Sequence, residues 1–329
     1  MKQYSDYRAT VILVNWNGKP LLADTLYALQ IQTYKPFHTI LIDNGSSDGS
    51  IEFVNQKFPQ IETIALGWNS GFAYANNIAI KKCESLYSVL LNNDAVPTRT
   101  WLENLIAALD ANPSAGFGAS KMLYFDNPRL IDRVGDAYTD AGVGKLRGRK
   151  KSSWNFSEPE WIFGACAGAA IYRTEALKEV GLFDEEFFLI NEDVDLSFRL
   201  QSRGYKCLYV PEAIVFHKAS SSIVHDSETS IYYGHRNMEW VYIKNLPWDL
   251  IVKTLPLHIV YNFLAFLLFM RKKHGKTYLR AKIDAFISLN ILMKKRKKIQ
   301  SEMKVSSDYL WSIMENEDFI ERLKIRRTK

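Results

Sequence analysis

The sequence predicts an α/β protein with a mostly parallel central sheet and helices on both of its faces. Two observations carry that prediction. Short β-branched apolar runs alternate with segments whose apolar positions recur at helical spacing. Each run also stops at a cluster of Asn, Asp, Gly or Ser, the residues that close a strand and open the next helix. The 329 residues are 47% hydrophobic and 13% aromatic, enough for a large core, which excludes a disordered or collagen-like chain.

Taken in order, Thr10 to Val14 is the first strand, and Leu22, Leu26 and Leu29 mark the helix after it. Thr39 to Ile42 is the second strand, stopped by Asp43-Asn44-Gly45-Ser46. Ser47 to Ser50 offers caps for a helix from Ile51 to Phe58. A strand over Ile61 to Leu66 and a helix over Tyr74 to Cys83 follow. Ser88 to Leu91 is a fourth strand ending at Asn92-Asn93-Asp94, before a helix from Trp101 to Ala111. Beyond residue 115 the alternation loosens, and Asp126 to Ser157 reads as loop or short hairpins. Glu192 to Arg203 is again helical with Gly204 as its stop, and Ala213 to Phe216 is a last strand. The expected organisation is a body over 1–245, divided at 115/116 into two halves, and a helical tail over 246–329.

Charge separates that tail from the body. The whole chain carries a net +6, whereas Leu250 to Lys329 holds 18 Lys plus Arg against 7 Asp plus Glu. An acidic body with a basic tail points to a polyanionic partner, a membrane surface or a nucleic acid. Leu255 to Met270 is largely apolar, but Lys253, Pro256, His258 and Asn262 interrupt it, so a true bilayer span is disfavoured. Ala281 to Met293 has an apolar face and ends in Lys294-Lys295-Arg296-Lys297-Lys298. Both segments suit helices lying on an anionic leaflet, or packing on the body or on a second subunit of an oligomer. Three widely spaced cysteines argue against a disulfide framework and fit a reducing, cytoplasmic compartment, and no export signal is expected at the start.

Ligands of open parallel sheets bind beyond the carboxyl ends of the strands. Those positions hold Asn15-Trp16-Asn17-Gly18, Asp43-Asn44-Gly45, Asn92-Asn93-Asp94 and His217. Neither GxGxxG nor GxxxxGK[ST] follows the first strand, so a bound nucleotide has to be held by side chains and a metal. Phe183 to Asp195 is the densest constellation, with six carboxylates set among aromatics before and at the start of a helix. The helix dipole accounts for acidic residues there, while the apolar run before them would hold Glu192, Asp193 and Asp195 against a pocket.

In this order the motifs resemble family 2 glycosyltransferases of GT-A fold, with a Rossmann-like sheet, in their rhamnosyltransferase-like branch. The resemblance covers Ala9 to Asn245 and implies that 1–245 is the catalytic domain, with 1–115 its nucleotide-binding half and 116–245 its acceptor half. It rests on Val11 to Gly18, Ile42 to Ser46, Asn69 to Asn77, Leu90 to Asp94, Gly164 to Arg173, Phe183 to Asp195 and His217. It implies that Asp43 accepts from a pyrimidine base and that Asn15, Asn17, Asn77, Asn93 and Asp94 line the donor, a dTDP- or UDP-sugar. Asp94 and His217 would bind Mg²⁺ or Mn²⁺, although Asn92 and Asn93 stand where many relatives carry carboxylates. Asp193 matches the catalytic base of an inverting transfer. Trp161, Gly164, Glu192 and Asp195 would lie on the side of the acceptor, a glycan or polyprenyl-linked saccharide. The expected location is the cytoplasmic face of a cell membrane, in cell-surface polysaccharide synthesis. Rival expectations are a UDP-hexose or galactofuranose transferase, and a sugar-nucleotide-binding protein without catalysis. Nucleic acid is disfavoured, because the tail's basic residues alternate with an apolar face rather than with stacking aromatics.

Overall fold

A computed structural model of the chain describes residues 6–218, 227–319 and Arg322. Strands β1 (Ala9–Asn15), β2 (His38–Asp43), β3 (Glu62–Ala65) and β4 (Tyr87–Leu91) alternate with helices α1 (Lys19–Gln30), α2 (Ser50–Lys57) and α3 (Phe72–Lys82). After β5 (Ala95–Pro97) and α4 (Trp101–Ala111) come β6 (Ala115–Tyr124) and four short strands. These are β7 (Ile131–Arg133), β8 (Asp136–Tyr138), β9 (Gly144–Leu146) and β10 (Glu160–Ile162). Then follow β11 (Ala169–Arg173), α5 (Thr174–Glu179), α6 (Glu192–Ser202) and β12 (Lys206–His217). The described chain ends in α7 (Glu228–Asn245), α8 (Trp248–Arg271), α9 (Gly275–Ile287), α10 (Leu289–Ser301) and α11 (Ser307–Ser312).

One ten-stranded sheet runs β10-β12-β6-β11-β4-β1-β2-β3, with β5 on β12 and β7 on β6. Along that path only β10 and β11 run against the other strands, so the mostly parallel expectation holds. The chain leaves β1 for β2 on one side and later returns to β4 on the other, which makes the carboxyl ends of β1 and β4 a topological switch point. Both faces are covered, and β1 shows it residue by residue. Val11 and Leu13 pack in a core with Leu22, Leu26 and Trp101, while Ile12 packs in a second core with Ile40, Ile80 and Leu200.

Some elements were hidden in the sequence for physical reasons. β6 starts Ala-Gly-Phe-Gly-Ala because side chains at Gly116 and Gly118 would collide with Tyr205 and with Ile171 and Leu109. α7 buries His235, Asn237, Glu239, Lys244 and Asn245, so it shows no apolar period, and β12 extends well upstream of Ala213. α8 is one continuous helix through Pro256, and the expected segment from Ala281 to Met293 divides between α9 and α10.

Polar ties set the start of α6. Lys244 is buried, and its ammonium lies 2.6 Å from Asp184 and 2.7 Å from Asp195. Removing one partner of such a buried set leaves uncompensated charge, which costs roughly 3–5 kcal/mol. Lys244→Met should therefore lower unfolding free energy by about that amount in a denaturant titration. A loss below about 1 kcal/mol would mean that the cluster is solvated rather than buried.

Candidate active site

The strand ends form a hydrogen-bonded floor. Asn15 and Asp43 face each other in register at the ends of β1 and β2. The Asn15 amide donates to Asp43 (3.3 Å) and Ser46 (3.1 Å), and its oxygen accepts from Asn93 (2.8 Å). Asp43 also accepts from the Ser46 backbone N–H at 2.9 Å. Asn17, in the left-handed region at φ 49°, accepts from the Ser47 N–H at 2.8 Å and locks the two loops together. Two exposed tryptophans border this turn. Trp16 follows Asn15, and the Trp68 backbone touches Gly45 so closely that a side chain there would clash.

β12 carries His217 to the same end of the sheet. Its Nε2 lies 3.2 Å from Asp94 and its Nδ1 3.0 Å from Asp132 on β7. Burial opposes protonation of this imidazole, but hydrogen bonds to Asp132 and Asp94 raise it to about 9. Burial likewise opposes ionisation of Asp132, yet the His217 hydrogen bond and Arg133 hold it well below the usual carboxylate range. The donor set fits a divalent cation. Adjacent ligands of an octahedral ion lie about 3 Å apart, the spacing of Asp94 and His217, and a carboxylate on the far ring nitrogen is the usual orienting partner of a metal-bound histidine.

From Asp132 a chain of charges leads to α6. Arg133 lies 3.8 Å from Asp132, 3.7 Å from Asp136 and 2.9 Å from the Cys166 sulfur. Ligand atoms of Asp136, Cys166 and Asp193 all fall within 4.8 Å of one another, an acidic group that could also hold a cation. There the Arg133 guanidinium already supplies positive charge. Burial, then the neighbouring Asp193, raises Asp136 to about 8, so it keeps its proton at neutral pH and can donate toward Asp193. Burial pushes Glu192 well above the carboxylate range, with Asp193 adding to it, and burial keeps the Cys166 thiol un-ionised.

The loop before α6 is held under strain. Phe188, Ile190 and Asn191 have φ of 63°, 67° and 68°, costly for a β-branched residue such as Ile190. The buried Asn237 amide fixes the loop by donating to the carbonyls of Phe187, Leu189 and Ile190 at 3.0, 2.8 and 2.7 Å. Gly164 admits α6 at close range, since a side chain there would strike Ser197, and it exchanges two backbone bonds with Asp136.

Three expected site residues are corrected. Asn77 does not face a donor. Its amide clamps Phe183 N–H and C=O at 3.0 and 2.9 Å and Glu185 at 2.8 Å. Asp195 is fully buried among Lys244, Arg199 and Asn245, so it fixes α6 and cannot meet an acceptor. Strand alternation sends Ile162 to the α6 side of the sheet, and Trp161 to the opposite side, beneath the Lys206 ammonium. Sequence reasoning missed Asp132, Arg133, Asp136 and Cys166. The one available signal was the charged pair Asp132-Arg133 flanked by Ile131 and Val134 within an apparent loop.

Comparison with known proteins agrees with this geometry. The family model "Glycosyl transferase family 2" matches residues 10–181. The chain is 26% identical over 272 residues to an N-acetylglucosaminyl-diphospho-decaprenol L-rhamnosyltransferase of Mycobacterium tuberculosis, covering 70% of this chain and 85% of the relative. It is 22% identical over 297 residues to a poly-beta-1,6-N-acetyl-D-glucosamine synthase of Staphylococcus epidermidis, covering 86% and 70%. In structure it resembles S. aureus TarS 1-349 in complex with UDP-GlcNAc, at TM-score 0.60, 16% identity and coverage of 90% and 88%. It also resembles the mannosyltransferase PcManGT from Pyrobaculum calidifontis in complex with GDP-Man and Mn²⁺, at TM-score 0.55, 15% identity and coverage of 90% and 85%. The fold is thus GT-A, as expected.

A carboxyl that stays protonated in the folded state ionises first in the unfolded chain, so rising pH favours unfolding between the two pKa values. For Asp136 that window runs from ordinary aspartate to about 8. Asp136→Asn removes the penalty, and its Tm should gain on the parent between pH 5 and pH 8 by about 2 °C or more. A constant difference across that range would show that Asp136 holds no proton.

Proposed function

The chain belongs to the family 2 glycosyl transferases, and from that premise we propose an inverting transfer of rhamnose from a dTDP- or UDP-sugar to a hydroxyl of a polyprenyl-linked saccharide. The observation that carries this reading is the continuous chain Asp94–His217–Asp132–Arg133–Asp136–Asp193, which joins the strand-end floor to the start of α6. The rhamnosyl and lipid-linked parts draw on the name of the Mycobacterium relative. On this reading the enzyme works at the cytoplasmic face of the membrane, in cell-surface polysaccharide synthesis.

In this reading Asp43, oriented by Asn15 and Ser46, accepts from the N3–H of uracil or thymine, and Trp16 and Trp68 offer faces for the base. Asp94 and His217 would hold Mg²⁺ or Mn²⁺, which when bound offsets charge on the departing nucleoside diphosphate. Asp193 takes the proton from the acceptor hydroxyl as that oxygen attacks the anomeric carbon, and a single displacement inverts the configuration. Asp136 keeps its own proton and stabilises Asp193 with it, while Arg133 limits repulsion among the carboxylates. Glu192 opens the first turn of α6 beside Asp193, on the side proposed for the acceptor.

The test is release of nucleoside diphosphate from UDP-, dTDP- and GDP-sugars, each with and without a polyprenyl-diphosphate saccharide. Pyrimidine donors, dTDP-rhamnose foremost, should be used; preference for a GDP-sugar would remove the role given to Asp43. Asp193→Asn should bind donor normally and lose about three or more orders of magnitude in kcat. Asp94→Ala should lose turnover as chelation with EDTA does, and full activity in chelator would sink the metal assignment.

A further inference from the structure

Of the 25 large apolar side chains left exposed among the described residues, 17 fall in one stretch, from Trp248 to Met293. α8 shows how this arises. Its buried residues, Leu250, Thr254, His258, Tyr261, Ala265 and Phe269, form one stripe at three- to four-residue spacing along the whole helix. The rest of its circumference is also apolar, with Val252 71%, Ile259 58% and Phe263 59% exposed. α9 buries Tyr278, Ala281 and Ala285 and leaves Leu279, Ile283, Phe286 and Ile287 in the open; α10 does the same with Leu289, Ile291 and Met293. Isolated exposed apolar residues are ordinary, but an exposed apolar run over three consecutive helices marks a contact surface.

Cations frame that surface. Arg271, Lys272 and Lys273 close α8, Lys276 and Arg280 stand exposed among the apolar residues of α9, and Lys294 and Lys297 do so on α10. We propose that the exposed faces of α8, α9 and α10 dock on an anionic bilayer, the helices lying in its plane with apolar side chains at the acyl boundary and Lys and Arg among lipid phosphates. Charge complementarity selects this occupant, because joining two copies through the same face would oppose like cations.

Length and composition alone would let α8 cross a bilayer, with 24 residues and a mean hydropathy of 1.6 over an 18-residue window. Its buried stripe opposes that. His258 reaches the Ala141 carbonyl at 2.8 Å and Glu239 of α7 at 3.0 Å, and Glu239 also holds Lys282 of α9 at 2.6 Å. A spanning α8 would abandon these bonds. The turn at Ala141 belongs to the β8–β9 hairpin that begins at Asp136, so one hairpin links the docked helix to the catalytic carboxylates. Access to a lipid-linked acceptor by that route rests on the proposed function; the docking itself does not.

The test is co-sedimentation of the full chain, without donor or acceptor, with phosphatidylcholine vesicles either pure or containing about one-third phosphatidylglycerol. Binding to the anionic vesicles should exceed binding to the neutral ones by about tenfold and weaken in high salt. Phe286→Asp with Ile287→Asp should cut the partition about tenfold or more, and Lys276→Glu with Arg280→Glu should cut it on anionic vesicles. All four sites are exposed, and an unchanged thermal unfolding midpoint and far-ultraviolet circular dichroism spectrum check that the variants fold. Alkaline carbonate should release the bound protein. Partitioning unaffected by either variant, retention through carbonate, or a stable dimer that ignores vesicles and dissociates on Phe286→Asp with Ile287→Asp would each overturn the proposal. Because no sugar substrate enters the assay, a wrong donor assignment leaves its outcome intact.

Discussion

The geometry of the site depends on the buried ammonium of Lys244. It stands between Asp184, just before the strained loop, and Asp195, in the first turn of α6. Residues two apart on a helix point about 200° apart. Tying Asp195 inward therefore turns Asp193 away from α7 and toward Asp136 and Arg133. One acidic stretch is split into a structural carboxylate and a reactive one. Arg199 and Asn245 complete the shell around Asp195, so that charge is spent within the fold.

The same economy of charge runs through the rest of the site. Five carboxyl groups, Asp94, Asp132, Asp136, Glu192 and Asp193, gather near the strand ends, where mutual repulsion would open the fold if all were ionised. Two devices prevent it. Arg133, and His217 when it carries a proton rather than a metal, interleave as cations between Asp94, Asp132 and Asp136. Burial and the nearby Asp193 keep Asp136 and Glu192 protonated, so they add hydrogen-bonding capacity without adding charge.

What the sequence disclosed follows from where each signal was stored. The βα units up to residue 111 were legible because each strand and helix has its own apolar period and a polar stop. Asp43, Asp94 and His217 were legible because strand ends are fixed positions in such a sheet. Asp132 and Asp136 were not, since β7 and β8 are three-residue strands whose pairing with β6 and β9 is decided by tertiary contact. Asn77 was misread for a related reason. A polar residue near a helix start looks like a ligand group until its clamp on Phe183, more than a hundred residues away, is visible. The exposed tryptophan on β10 misled in the same way, because an edge strand's facing is set by its partner β12.

The charge asymmetry of the chain also divides once contacts are known. The tail holds two populations of cation. Lys282 turns inward to Glu239, Lys295 to Asp184 and Glu186, and Arg296 to the carbonyls of Ile243 and Leu246. These fasten α9 and α10 to the catalytic unit, and Lys295 meets the same Asp184 that Lys244 holds. Others, among them Lys276, Lys294 and Lys297, lie exposed beside apolar side chains. Stability alone would favour polar residues around those helices, and nucleic-acid binding would call for cations without the apolar face. A surface that is both apolar and cationic is matched by an interface with anions above hydrocarbon. Because Lys295 of α10 ends at Asp184, the surface turned to that interface and the loop that aims Asp193 share one ionic cluster.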